Sequence, residues 1–231
     1  MKKMIKHVAS PVRKNRDLTK RLLYALMSII IGLLFPTICF SQNWNRVELK
    51  NIYSFSLPPT MEIRKDGSLV DKGVKKLHDI AELTYNSNRI TLQPKGMNEG
   101  LKTSNHLFGR IIIEIDEGAH GDFPIIDEMP KEDIIFAKYI IIESVKEGAI
   151  KNGLKILNIT PVEIKKIGYK SAFYYSYVRK SSKEENPNVF AQVYRVLDDD
   201  KAINITLSYR QSEKSIWHTD FEKLIRSFTF K

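Results

Sequence analysis

VFAQVYRVLDDDKAINITLSYR, residues 189–210, decides the architecture of this chain. Two strand-like runs, Val189 to Leu197 and Ala202 to Arg210, flank Asp198-Asp199-Asp200. Aspartate bonds its own backbone and tolerates tight turns, so this arrangement predicts a hairpin. In the second run Ile203, Ile205, Leu207 and Tyr209 alternate with polar residues. A period of two places them together on the inner face of a long strand.

The same reading extends in both directions. Upstream, Leu154 to Ile159 and Val162 to Ile167 read as strands around Pro161, and Gly168-Tyr169 turns the chain. Lys170 to Val178 then alternates, with Phe173, Tyr175 and Tyr177 on one face and Tyr174 on a face open to solvent. Ser181 to Asn188 is a polar loop containing Pro187. Downstream, Ser212 is expected to cap a helix in which Trp217, Phe221, Leu224 and Ile225 share one side. Ser227-Phe228-Thr229-Phe230 closes the chain as a short strand.

Nearer the N-terminus, Arg110 to Asp116 is a strand with Ile111, Ile113 and Ile115 on one face and Arg110, Ile112 and Glu114 on the other. Tyr53, Phe55 and Leu57 alternate with serines until Pro58-Pro59 stops the run. Met61 to Ile63 and Arg89 to Gln93 read as further short strands. Val70 to Leu83 has apolar residues at helical spacing, weakened as a helix by Gly73. Gly96 to Asn105 and Glu117 to Met129 are loops by composition. Lys131 to Lys151 is the best helix, with Pro130 at its start, Glu132 and Asp133 in its first turn and Gly153 as its stop. Its stripe is read as Ile135, Tyr139, Ile142, Val145 or Lys146, and Ala149. Strands and helices are segregated rather than alternating, which predicts an α+β fold: an antiparallel β-sheet with helices packed on it.

Charge divides the chain. Residues 1–41 hold eight basic side chains and one acid, a net +7. Residues 42–231 hold 29 basic and 26 acidic residues, a net +3, so that part lacks the electrostatic footprint of a nucleic-acid binder. Leu22 to Phe40 is an uncharged run, LLYALMSIIIGLLFPTICF, between basic residues and polar Ser41-Gln42-Asn43. That order is the order of a secretory signal, with small residues at Cys39 and Ser41 for cleavage before Gln42. The same run of about 28 Å is nearly long enough to stay as a membrane anchor, which would attach the protein through residues 22–40. A lipoprotein signal is disfavoured by Pro36, Thr37 and Ile38 ahead of the cysteine. The organisation expected is a signal peptide or N-terminal anchor over 1–41 and a single α+β domain over 42–231, outside the cytoplasm. Cys39 is the only cysteine, so residues 42–231 carry no disulfide, thiolate metal site or cysteine nucleophile.

Three passages carry a family likeness: Tyr53-Ser54-Phe55-Ser56-Leu57-Pro58, Ile167-Gly168-Tyr169-Lys170-Ser171-Ala172, and Trp217 with Phe221 and the closing Ser227-Phe228-Thr229-Phe230. In these the chain resembles the PsbP-like family, the fold of the extrinsic photosystem protein and its bacterial relatives, over most of residues 47–231. The resemblance implies an α/β/α sandwich around an antiparallel sheet. It implies a binding or assembly role rather than an enzyme activity, and it transfers no site residue.

Each stretch rich in reactive side chains also has a simpler structural duty. Asp116-Glu117-Gly118-Ala119-His120-Gly121-Asp122 groups carboxylates with an imidazole and is the sharpest metal-binding candidate, but it matches no metal-ligand spacing and reads as a solvated acidic loop. Asp198-Asp199-Asp200 reads as turn chemistry before calcium ligation. His218 and Asp220, two residues apart on a helix, point to different faces and form no acid–base pair. His78 with Asp79 is no stronger. No serine sits in a nucleophile elbow, and Gly96, Gly100 and Gly109 stand too far apart to cradle a phosphate. Asn158 and Asn204 each begin an Asn-Ile-Thr sequon. No catalytic, cofactor-binding or metal-ligating residue is assigned. The expectation is a non-catalytic binding or assembly protein with an unidentified protein or small-molecule partner. The alternatives are a membrane-anchored accessory subunit and a hydrolase whose carboxylates and histidines converge in one pocket.

Overall fold

A computed structural model describes residues 44–65, 82–85, 88–99, 107–181 and 186–231. The leader, His78-Asp79, Gly100 and most of the Val70–Leu83 segment lie outside the described residues. The end of that segment belongs to a strand, Glu82–Tyr85, rather than a helix.

The strands in chain order are β1 (Asn45–Leu49), β2 (Tyr53–Leu57), β3 (Met61–Ile63), β4 (Glu82–Tyr85), β5 (Arg89–Pro94) and β6 (Gly109–Glu117). After the helix α1 (Lys131–Lys151) come β7 (Leu154–Ile159), β8 (Glu163–Ile167), β9 (Lys170–Ser181), β10 (Val189–Asp198) and β11 (Lys201–Arg210). The helix α2 (Lys214–Arg226) and β12 (Thr229–Phe230) close the chain. The large sheet runs β3-β5-β6-β11-β10-β9-β7, with β8 pairing the other half of β9. All its pairs are antiparallel. A second sheet, not foreseen from the sequence, has the order β12-β2-β1-β4, in which β1 and β4 are parallel.

The residues make these elements for recognisable reasons. The β10–β11 hairpin pairs Asp198 with Lys201, and Asp199 takes the left-handed conformation at φ 61°. Gly153, at φ 64°, ends α1 in the left-handed turn where a side chain is disfavoured. Ile203, Ile205, Leu207 and Tyr209 face the same core as Ile111, Ile113 and Ile115, and all seven are buried. Burying each aliphatic side chain is worth roughly 1.5–3 kcal/mol, so this double row anchors the centre of the sheet.

The main core lies between the large sheet on one side and the small sheet with α2 on the other. Trp217, Phe221, Leu224 and Ile225 of α2 enter it together, as their spacing predicts. The opposite face of the large sheet carries α1, which packs Ile134, Ala137, Ile141 and Ile142 around Phe173, Tyr175 and Val162. Helices on both faces of an antiparallel sheet make an α+β fold.

Three local expectations differ from the structure, and one strand is additional. Ser212 does not cap α2: Gln211–Glu213 is a 3-10 turn, and the cap residue of α2, Glu213, makes no side-chain cap bond. Tyr174 is packed rather than open, its ring 4.9 Å from that of Tyr194. β1 was not anticipated. The stripe of α1 holds at Ile142 and Ala149, which are packed, but Ile135 and Tyr139 turn to solvent and Ile134, Ala137 and Ile141 take their place. Among the described residues no helix is long and apolar enough to cross a membrane.

Candidate functional site

The two acidic candidates of the sequence meet at one tip of the large sheet. Asp199 exchanges backbone hydrogen bonds with Phe123 at 2.7 and 2.9 Å. Its carboxylate pairs with His120 Nδ1 and accepts the Gly121 N–H at 3.0 Å. Asp122 accepts the Ala119 N–H at 2.7 Å, closing the 118–123 loop on itself.

The neighbouring carboxylates are occupied in the same way. Lys201 holds Asp200 at 2.6 Å, and that hydrogen bond keeps the Asp200 carboxyl below the usual range. Lys170 takes Asp198, Asn204 Nδ2 donates to Asp116 at 2.9 Å, and Lys50 binds Glu117 at 2.7 Å. Each anion at the tip is matched to its own donor, and His120 is almost fully exposed. This geometry fastens a loop to a hairpin. Among the described residues no group of three or more metal-ligating side chains converges here or elsewhere.

The remaining candidates stay apart. Asp220 accepts the Thr60 hydroxyl at 2.6 Å, while His218 Nδ1 is buried without a hydrogen-bond partner among the described residues. Among the described residues two carboxylates are buried, Glu48 and Glu213. Glu48 is bound by Lys231 at 2.6 Å. Glu213 accepts the Phe108 N–H at 2.8 Å, the Trp217 indole N–H at 3.0 Å and Arg210 at 2.9 Å. None of these partners is a histidine. Asn204 is engaged within the sheet, and Asn158 is exposed beside a bulge in β7.

What stands out instead is the outer face of α1. Ile135, Phe136, Tyr139 and Ile140 are 68, 65, 60 and 43% exposed. At 100° per residue they form one patch over two turns, opposite the side formed by Ile134, Ala137 and Ile141. From residue 134 to 142 only Lys138 is polar, apart from the Tyr139 hydroxyl, so this half of α1 is apolar on nearly every side. A helix of that kind belongs under cover on more than one side. The later turns return to Glu143, Lys146 and Glu147, with Lys146 bound to Glu143 at 2.8 Å. The sequence contains the signal for this patch: an apolar run too continuous for a helix with a single packed stripe.

No family model matches the chain, and no curated protein matches it. Several solved structures are similar in fold. The solution structure of PsbP from the cyanobacterium Synechocystis sp. PCC 6803 matches with a TM-score of 0.45 at 14% identity, over 87% of this chain and 99% of that one. The Ran-binding protein Mog1p of Saccharomyces cerevisiae matches at 0.42 and 13% identity, over 82% and 96%. A crystal structure from Bacteroides thetaiotaomicron matches at 0.41 and 10% identity, over 78% of this chain and 45% of that one, so this chain spans less than half its length. The family that the sequence resembles is thus represented among these structures.

Proposed function

We propose that this chain is an exported, non-catalytic binding module that docks a protein partner on the outer face of α1. The observation that carries the reading is the patch Ile135, Phe136, Tyr139 and Ile140, exposed on a helix that is apolar nearly all round. Contiguous exposed apolar surface on a folded domain marks interaction sites. Aromatic and aliphatic anchors of this kind carry most of the energy in protein interfaces. Export is supported by the basic residues ahead of the uncharged run 22–40.

The test separates docking from folding. Phe136→Ser with Tyr139→Ser truncates two exposed side chains, so unfolding in urea is expected to stay within about 0.5 kcal/mol of the parent per site. Complexes recovered from the native host by the parent are expected to be lost from the double variant. Equal recovery by both proteins would end this assignment. Whether residues 22–40 are removed or retained as an anchor is read from the intact mass of the exported protein: a chain that begins at Gln42 rejects the anchor.

A further inference from the structure

The exposed side of α1 continues beyond its apolar patch. Ile150, 75% exposed, lies three helical turns past Tyr139. At 100° per residue it falls about 20° from the direction of Tyr139 and about 16 Å further along the axis. Glu132 and Lys146 stand on the same side, each seven residues from Tyr139 and both exposed. Each is also only about 20° off the direction of Tyr139. Lys146 holds Glu143 of the same stripe at 2.8 Å.

The stripe thus has an acid before its apolar middle and a base after it. The helix dipole favours acids in the first turn and bases toward the end, but it does not ask for them on the apolar side. A cover that reaches from Ile135 to Ile150 has to be nearly as long as the 21 residues of α1 itself. Laid against an antiparallel copy with the two-fold axis at Tyr139, the stripe meets its own complement. Glu132 of each copy faces Lys146 of the other, and the axis makes that pair twice. Tyr139 meets Tyr139. Ile135 and Phe136 of each copy lie against Tyr139 and the aliphatic stem of Lys146 of the other. A parallel copy would set Glu132 against Glu132 and Lys146 against Lys146. An antiparallel copy centred between Ala137 and Lys138, the middle of the apolar patch, would set Glu132 against Glu143. Like charges in register are costly, so charge selects the arrangement centred on Tyr139.

We propose that the partner docked on α1 is a second copy of this chain, the two helices forming an antiparallel pair about a two-fold axis at Tyr139. This assignment rests on the docking reading of the same face and names its occupant. Two helices of about 30 Å bury less surface than a standard protein interface, so the dimer is expected to dissociate in the micromolar range.

Sedimentation equilibrium of the exported protein, from about 1 to 200 μM, reads the association. Glu132→Lys and Lys146→Glu are each expected to weaken it about tenfold or more, because by symmetry each change sets two pairs of like charges face to face. Both side chains are exposed, so the circular dichroism of each variant should match the parent. An equimolar mixture of the two variants is expected to dimerise as tightly as the parent, since every facing pair is then of opposite sign. A parent that stays monomeric, single variants that associate like the parent, or a mixture no tighter than its components would each overturn the second-copy assignment. The docking reading is judged separately. A monomeric parent whose host complexes are still lost on Phe136→Ser with Tyr139→Ser would leave the outer face of α1 as the binding surface for a different protein.

Discussion

The buried carboxylate of Glu213 accepts the indole N–H of Trp217 at 3.0 Å, one turn further along the same helix. The same oxygen holds the Phe108 N–H at 2.8 Å, and the other oxygen holds Arg210. One side chain thus ties the start of α2 to the residue ahead of β6 and to the end of β11. Glu213→Ala strands two donors at once, and leaving a buried donor unpaired costs roughly 1–3 kcal/mol. A loss of about 2–3 kcal/mol is expected in urea denaturation, with a smaller loss for Glu213→Gln, which keeps an acceptor oxygen. A loss below about 0.5 kcal/mol for the alanine variant would contradict this role.

Trp217 also explains a glycine. A Cβ on Gly109 would lie 2.7 Å from two ring carbons of the indole. Trp217 is buried within the main core and the indole has no flexible end to move aside. Gly109→Ala is therefore expected to destabilise by roughly 1–3 kcal/mol, the usual cost of overpacking. Adding Trp217→Leu should cancel part of that penalty, giving a non-additive double-mutant cycle. Strict additivity would show that the two residues do not press on one another.

Burial shapes the alkaline limit of stability. It pushes the Tyr175 phenol up to about 12 and the Tyr53 phenol further still. Unfolded tyrosines titrate near 10, so the folded chain holds these protons more tightly. The resulting stabilisation is complete below about pH 10 and is lost as pH rises toward about 12. Ultraviolet titration is expected to show a late class of tyrosines that ionise only as the fold opens; a single transition near pH 10 would contradict it. The Tyr53 hydroxyl is buried without a hydrogen-bond partner among the described residues, so Tyr53→Phe is expected to be neutral or to stabilise by about 1 kcal/mol.

The tip formed by the 118–123 loop and the β10–β11 turn should behave as structure rather than as a cation site. Asp199→Ala loses the His120 and Gly121 contacts and places alanine at φ 61°, a combination expected to cost about 1–2 kcal/mol. Asp199→Asn, which tolerates that backbone, should cost less than half as much. Millimolar calcium should leave the melting temperature of the parent unchanged, because each carboxylate already has a donor. A rise of several degrees would mark a bound cation.

How much of this was legible follows from where apolar and polar residues alternate. Ile111–Ile115 and Ile203–Tyr209 could be read because each strand has one buried and one polar or mixed face. The ends of α1 were legible too, from Pro130 and Gly153. Its phase was not: from Ile134 to Ile142 nearly every residue is apolar, so spacing could not choose Ile134 and Ile141 over Ile135 and Tyr139. Tyr174 was misplaced for a related reason, since both faces of β9 are covered. β1, the five residues Asn45–Leu49, carries only two aliphatic side chains among charged and polar ones, and its pairing with β2 is a tertiary fact.

The docking role of α1 is tested most directly by a photo-crosslinking amino acid placed at Phe136 in the native host, with exposed Lys214 on α2 as the comparison position. A discrete adduct of one partner protein from position 136, and none from position 214, is the result predicted. Absence of an adduct at 136, or the same adducts from both positions, would contradict the assignment of the outer face of α1 as the binding surface.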